Sequence, residues 1–358
     1  MNNTEDIMIL GIESSCDDTS CAVLKNNIIL SNVTANQSIH RQYGGVIPEL
    51  ASRDHEKNII PVIDAALKNA NAKLSDLSAI AVTRGPGLSG SLLVGLSAAK
   101  SMALALNIPL IEVNHMQGHI LAHFIREADS EERTMDNRQW TIDNVPDEVP
   151  SFPFLCLTVS GGHTQIVKIT SPLEFELLAE TEDDAVGEAF DKAAKILGLP
   201  YPGGPLIDKH AQNGDATKYK FPTPRLANHN YSFSGVKTAF LYFIQEQTAL
   251  NPDFVKENLN DICASYQAHL IQYLLKNLLA VAKETGITHI AIAGGVSANS
   301  GLRTQLQALG KKQRWHTYIP KFEYCTDNAA MIGITGYYKF LKGQFCGLDA
   351  VPLARYGI

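Results

Sequence analysis

Three histidines stand at four-residue intervals in "VNHMQGHILAH", at His115, His119 and His123. That interval places side chains on one face of a helix, where two imidazoles can bind one metal ion. His123 lies about 12 Å along the axis from His115 at the standard helical rise, too far to share the ion. In zinc proteases carrying H-E-x-x-H, the glutamate beside the first histidine activates water. Here that neighbour is Met116, which cannot take a proton. A third ligand is needed, and Asp327 in "EYCTDNAAMIGITGYYKF" is the candidate. It stands just ahead of an apolar helix, so capping that helix is an equal alternative. Two histidines and a carboxylate would suit iron(II) or zinc, with positions left open for substrate oxygens.

A second polar concentration covers 181–215, "TEDDAVGEAFDKAAKILGLPYPGGPLIDKHAQNGD". Its Asp184, Glu188, Asp191 and Asp208 are of a type that hydrogen-bonds sugar hydroxyls, although surface acids on a helix usually serve solvation. "NYSFSGVKTAF" holds Ser234 and Lys237 in the S-x-x-K spacing of acyl-enzymes, but its companion motifs are missing. Lys237 beside a phosphate or RNA is the better functional expectation.

These residues need elements to hold them. Two segments repeat one plan, a strand, a small-residue turn, and two further strands before helical patterns. In the first, a strand ending near Ile12 turns through Ser14–Thr19 into a strand at Cys21–Leu24, followed by Ile28–Ala35. In the second, Ser160-Gly161-Gly162-His163 is the turn, with strands at Gln165–Ile169 and Phe175–Glu180. Such a repeat implies two similar lobes facing a cleft. A third segment reads as a buried strand at Ile290–Ala293, a Gly294-Gly295 loop and a helix at Ser300–Leu309, so that backbone N–H groups can approach a ligand. The acidic stretch Arg126–Pro150 lacks periodicity and reads as an exposed loop between lobes.

The chain has 358 residues, 45% of them hydrophobic and 19% charged, as expected of a well-cored soluble protein of about two domains. Its start lacks a signal peptide's basic residues, and the most apolar stretch, around Leu88–Val113, is broken by Lys100, Asn107 and Pro109. The six cysteines form no C-x-x-C pair. A cytoplasmic enzyme is the resulting expectation. A net charge of −7 argues against strong independent binding of nucleic acid, although "GKKQRWH" is a local basic run.

Taken together, "GIESSCDDTS", "YGGVIPELASRDH", "TRGPGLSGSLLVG", "VNHMQGHILAH", "VSGGHTQIV", "GEAFDKAAKILGLPYPGGP", "YSFSGVKTA", "AGGVSAN" and "CTDNAAMIG" resemble one family over nearly the whole chain. It is the tRNA N6-adenosine threonylcarbamoyltransferase family, bacterial TsaD type, related to the KEOPS catalytic subunit and formerly labelled a glycoprotease. The resemblance implies an α/β fold of the actin/Hsp70/sugar-kinase class, with two ribonuclease-H-like lobes around a nucleotide cleft. The expected division is 1–125 for the first lobe, with a C-terminal helix returning to it, 126–150 for the loop, and 151–358 for the second lobe.

The resemblance also implies a reaction: the threonylcarbamoyl group of threonylcarbamoyl-AMP passes to N6 of the adenosine at position 37 in tRNAs reading ANN codons, and AMP leaves. Carried over, the metal ligands are His115, His119 and Asp327, with iron(II) favoured and zinc possible. The intermediate would contact Thr158, Val159, Ser160, Gly161, Gly162, Asp191, Gly204, Asp208 and Asn299. No general base stands out beyond Asp17 or Asp18. Expected partners are tRNA, a TsaB-type paralogue and a TsaE-type ATPase, with the adenylate made by a separate TsaC-type synthase. Two departures from the bacterial pattern are Asn114, where a histidine is usual, and Ala329, where a glycine is usual. The alternatives are a metalloendopeptidase, which lacks its base at Met116, a non-catalytic scaffold, which would not be expected to keep the triad, and a sugar kinase or general ATPase from fold alone.

Overall fold

The computed structural model describes residues 6–37, 40, 43, 45–127, 149–224 and 226–358. Contacts divide the chain into two units, Met1–Pro150 with Thr326–Ile358, and Ser151–Cys325. In chain order the first contains β1 (Met8–Glu13), β2 (Thr19–Lys25), β3 (Ile28–Ala35), α1 (Pro48–Asn69), β4 (Ala79–Gly85), α2 (Ser89–Leu106), β5 (Leu110–Asn114), α3 (His115–Leu121) and β6 (Arg126–Glu127). The second contains β7 (Phe154–Val159), β8 (Thr164–Ser171), β9 (Glu174–Glu180), α4 (Val186–Ile196), α5 (Gly203–Ala211), α6 (Ser234–Leu250), α7 (Phe254–Thr285), β10 (His289–Ala293), α8 (Ser300–Gln313) and β11 (His316–Tyr318). Then α9 (Ala329–Leu341) belongs to the first unit again.

The two sheets share one plan. The first runs β5-β4-β1-β2-β3-β6 and the second β11-β10-β7-β8-β9. In each, three antiparallel strands from the start of the unit continue into two parallel strands that follow helices. The repeat read from the sequence is therefore a repeat of topology, and β3 has the expected bounds. The segment expected as an exposed loop departs from that reading at both ends: Arg126–Glu127 pairs with β3, and Val149 and Pro150 are buried. The intervening 128–148 lie outside the described residues.

Within the first unit, β1 is buried along nearly its whole length because helices cover both of its faces. Strand alternation sorts its side chains. Leu10 and Ile12 join Ile59, Ile63 and Leu96 of α1 and α2 in one core cluster. On the opposite face α9 presses against the sheet, with Ala329 through Gly336 all buried. Glycines set this approach. A Cβ on Gly11 would sit 2.4 Å from the Ala329 carbonyl oxygen, one on Gly333 2.4 Å from Leu24 Cδ1, and one on Gly336 2.4 Å from Ala81 Cβ.

Among the described residues, α2 is the one helix long and apolar enough to cross a membrane by length and composition. It carries Lys100 and packs on α1 and β4, giving Leu92, Leu96, Ala99 and Ala103 to the core.

The Gly11 contact meets backbone, which cannot swing aside. Gly11→Ala should lower stability by about 1–3 kcal/mol. Urea denaturation checks this, and an unchanged midpoint would mean that α9 is not seated on β1 as described.

Candidate metal centre

The end of β5 and the start of α3 are set by one residue. Asn114 stands at the N-cap, its Oδ1 accepting from the N–H groups of Met116 (2.8 Å) and Gln117 (3.3 Å). The helix begins at His115 and ends after seven residues, so His115 and His119 share its face. His123 falls on the tighter 3-10 turn Ala122–Phe124 that follows, which takes it off that face. Met116 is packed in the core, 1% exposed.

Asp327 meets both histidines. Its Oδ1 lies 3.3 Å from His115 Nε2 and 3.3 Å from His119 Nε2. The alternative of helix capping does not hold for this residue: Asn328 is the N-cap of α9, accepting from Met331 N–H at 3.0 Å. Capping by the next residue leaves the Asp327 carboxylate available to the imidazoles.

The ligand atoms of His115, His119 and Asp327 lie within 4.8 Å of one another, as a shared ion requires. His119 supplies a further observation. Both of its ring nitrogens are buried, and neither makes a hydrogen bond of good geometry, although Nε2 is close to Asp327. A buried polar atom is ordinarily satisfied, and a cation among these three donors would satisfy Nε2. The triad thus fits a metal ion.

The sequence reading missed Glu13. This carboxylate, 0% exposed, ends β1, and its Oε2 lies 3.0 Å from His115 Nδ1. It accepts as well from Thr83 Oγ1 (2.6 Å) and from the Ser15 N–H. Ser15 Oγ is 3.1 Å from the same His115 nitrogen. A carboxylate behind a ligating imidazole fixes the ring orientation and strengthens it as a ligand. The available signal was a lone acid closing an otherwise apolar strand.

The charges lean on one another. Burial alone would depress the His115 pKa, but Asp327 and Glu13 outweigh it and hold the imidazole well above its usual value. Burial would likewise raise both acids, and His115 more than offsets it, keeping Glu13 and Asp327 below the usual carboxylate range. His119 is lowered by burial, with the neighbouring His115 acting in the same direction. Beyond β1, the loop carries Asp17 and Asp18. Its backbone is pinned where Cys16 O accepts from Ser91 Oγ (3.1 Å) and faces His55 Nε2 (3.0 Å). Burial, then the charge of Asp17, push Asp18 up to about 7.

The remaining expected residues lie in the second unit. Thr158 and Val159 end β7, and Ser160 closes a turn by exchanging bonds with His163. A Cβ on Gly161 or Gly162 would meet nothing within 4 Å, so chain packing does not demand glycine there and the space beside the loop is open. Asp191 Oδ1 accepts from the Gly203 and Gly204 N–H groups, 2.8 and 3.1 Å, at the start of α5. Asp208 accepts from Ser300 N (3.0 Å), Ser300 Oγ (2.8 Å) and Gln267 Nε2 (3.0 Å). Asn299 caps α8 through Leu302 N–H and donates to Gln267 Oε1 at 2.7 Å. Asp208 and Asn299 therefore share Gln267, a residue the sequence gave no reason to single out. Glu188 pairs with Lys192, and Asp184 with both Lys192 and Lys237. That pairing occupies Lys237, expected beside a phosphate, while Ser234 Oγ bonds Asp183 rather than Lys237.

The profile of TsaD, tRNA N6-adenosine threonylcarbamoyltransferase, matches residues 28–133 and 139–334. The chain belongs to the TsaD family. Proteins named tRNA N6-adenosine threonylcarbamoyltransferase are 59% identical in Christiangramia forsetii, with 98% of both chains covered, and 51% identical in Porphyromonas gingivalis, again with 98% of both. The Thermosipho africanus relative of that name is 45% identical over 97% of this chain and 99% of its own. Among solved structures, HypF from T. kodakarensis is similar with a TM-score of 0.59 at 14% identity, over 95% of this chain and 48% of that one. Likeness at that identity shows the fold alone: an α/β fold of the actin/Hsp70/sugar-kinase class.

Glu13→Gln keeps the shape of the side chain and removes its charge. It should weaken zinc or anaerobic iron(II) binding about 10–100-fold in a competition titration. Equal affinity would show that His115 does not depend on Glu13.

Proposed function

We propose that this chain transfers the threonylcarbamoyl group of threonylcarbamoyl-AMP to N6 of the adenosine at position 37 in tRNAs reading ANN codons, releasing AMP. The observation that carries the reading is the convergence of His115 and His119 on Asp327, in a chain that matches the TsaD profile along most of its length.

The chemistry asks little covalent work of the protein. A carbamate–phosphate anhydride is already activated, so positioning and charge stabilisation suffice. N6 attacks the carbamoyl carbon, the bond from that carbon to the phosphate oxygen breaks, and the electron pair leaves with AMP. A divalent ion, iron(II) favoured and zinc possible, would supply Lewis-acid polarisation of the carbonyl. His115, His119 and Asp327 would hold that ion, and Glu13 would keep the His115 ring in line. Asp17 or Asp18, on the pinned turn after β1, would be the base for the N6 proton, and Asp18 is the one tested because burial and the charge of Asp17 push it up to about 7. In the second unit, the Thr158–Gly162 loop offers backbone N–H groups to the phosphate. Asp191, Gly204, Asp208 and Asn299 shape the nucleoside site, the acids doing so while capping helices.

The endopeptidase alternative is disfavoured by geometry as well as by family. Met116 is buried, and Glu13 is committed to the far nitrogen of His115, where it orients a ligand rather than activating water. A scaffold role does not require the intact triad. The working location is the cytoplasm, where tRNA is modified. A TsaB-type subunit and a TsaE-type ATPase complete the assembly, and the exposed Ile60, Leu93 and Leu104 of α1 and α2 offer apolar side chains to such a subunit.

Transfer is measured by mass spectrometry of tRNA after reaction with threonylcarbamoyl-AMP. Asp327→Ala should abolish threonylcarbamoyladenosine formation in a folded protein, and full activity in that variant or in metal-stripped enzyme would reject the reading. Asp18→Asn should slow transfer about 10²–10⁴-fold. A base works ionised, so parental activity should climb as pH rises through its pKa, at or below about 7 once a cation is nearby. The variant should lose that limb. A retained limb assigns the proton to another group.

A further inference from the structure

The cap of the metal-binding helix is itself held from outside the helix. While Asn114 Oδ1 caps α3, its Nδ2 donates to the carbonyl oxygens of Tyr356 (3.3 Å) and Gly357 (2.9 Å). One amide thus spends its acceptor on the helix that carries His115 and His119, and its donors on a segment more than two hundred residues away. Asn114 is 1% exposed, so losing those two acceptors would leave a buried donor unsatisfied.

The segment is fastened along its length. Leu353 N–H donates to Arg84 O at 2.8 Å, and Ala354 O accepts from Gly87 N–H at 3.2 Å. Arg84 Nε donates to Val351 O at 3.0 Å, and its guanidinium pairs with Glu112. Tyr356 closes the set: its hydroxyl lies 3.2 Å from Glu112 Oε1, and its ring lies under the Arg84 guanidinium, 5.9 Å from centroid to Cζ. A Cβ on Gly85 would sit 1.9 Å from Leu353 O, so only glycine lets the segment lie this close.

Resting on the metal-centre reading above, we infer that Leu353–Gly357 is a brace that positions the metal-binding helix, acting through the Asn114 side chain. The brace fixes the direction of the first turn of α3, and with it the approach of His115 and His119 to Asp327. Asn114, Tyr356 and Gly357 are positioning residues, since none of them supplies a ligand atom.

Two changes test it in the full chain: deletion of residues 355–358, and Asn114→Ala. Each should weaken zinc binding about tenfold in a competition titration run well below the melting temperature. The double variant should be no weaker than Asn114→Ala alone, because both changes act through one amide. A merely structural segment would lower the melting temperature and leave zinc affinity within twofold of the parent. Unchanged affinity in the deletion, or additive losses in the double variant, overturns the brace and leaves the transferase reading standing. A parent protein that binds no zinc or iron(II) overturns the brace together with the metal centre.

Discussion

The close seating of α9 on β1 is the constraint from which the candidate centre follows. A strand and a helix normally stand apart by the width of their side chains. Here the face of β1 that meets α9 presents Gly11, which brings its backbone onto that of Ala329 and Gly333, while Gly333 and Gly336 make room for Leu24 and Ala81 on the neighbouring strands. Two residues further along the same strand face comes Glu13, which the pleat turns to the same side as Gly11. Two residues before the same helix comes Asp327. One packing contact therefore brings two carboxylates to the end of β1, and α3 enters from the end of β5 with His115 between them and His119 beside Asp327. The ligands come from far apart in the chain, yet their placement depends on three absent side chains.

How much of this the sequence makes legible depends on range. Features of local period are legible: the four-residue histidine spacing, the strand pattern of β3, and the repeated strand-turn-strand that becomes two sheets of one order. Features set by tertiary neighbours are less so. Asp327 and Asn328 are adjacent residues of equal capping type, and only the fold decides that Asn328 caps while Asp327 turns to the imidazoles. Glu13 reads as an ordinary strand end until His115 arrives from a hundred residues downstream. Gln267, in the middle of α7, has no local mark at all, because its partners Asp208 and Asn299 lie on other elements.

The acids of the second unit show why composition alone misassigns roles. A cluster such as Asp184, Glu188, Asp191 and Asp208 looks uniform in sequence. In the fold it separates into two ion-paired residues and two helix caps. A carboxylate has about four lone-pair sites. Asp208 uses three of them within the protein, so its reach toward a ligand is limited to what is left. Its larger effect is to tie the second half of α5 to the start of α8 and to α7 through Ser300 and Gln267. The open flanks of Gly161 and Gly162 are the reverse case, since among the described residues nothing uses the space that their missing side chains leave.

The missing protease base has a structural cause deeper than one substitution. The histidines of α3 face Asp327, and Met116, which follows the first of them and lies off their shared face, is turned into the core and almost fully buried. A carboxylate there would lie among apolar side chains without a partner, at a large cost in desolvation. The orientation of the helix, capped by Asn114 at its start, therefore excludes a water-activating group at the position where H-E-x-x-H enzymes have one. What remains is a candidate cation site, with the Glu13 carboxylate behind one of its imidazoles and no nucleophile or hydrolytic base on the helix. Such a site suits a reaction whose acyl donor arrives already activated and whose nucleophile arrives with the acceptor.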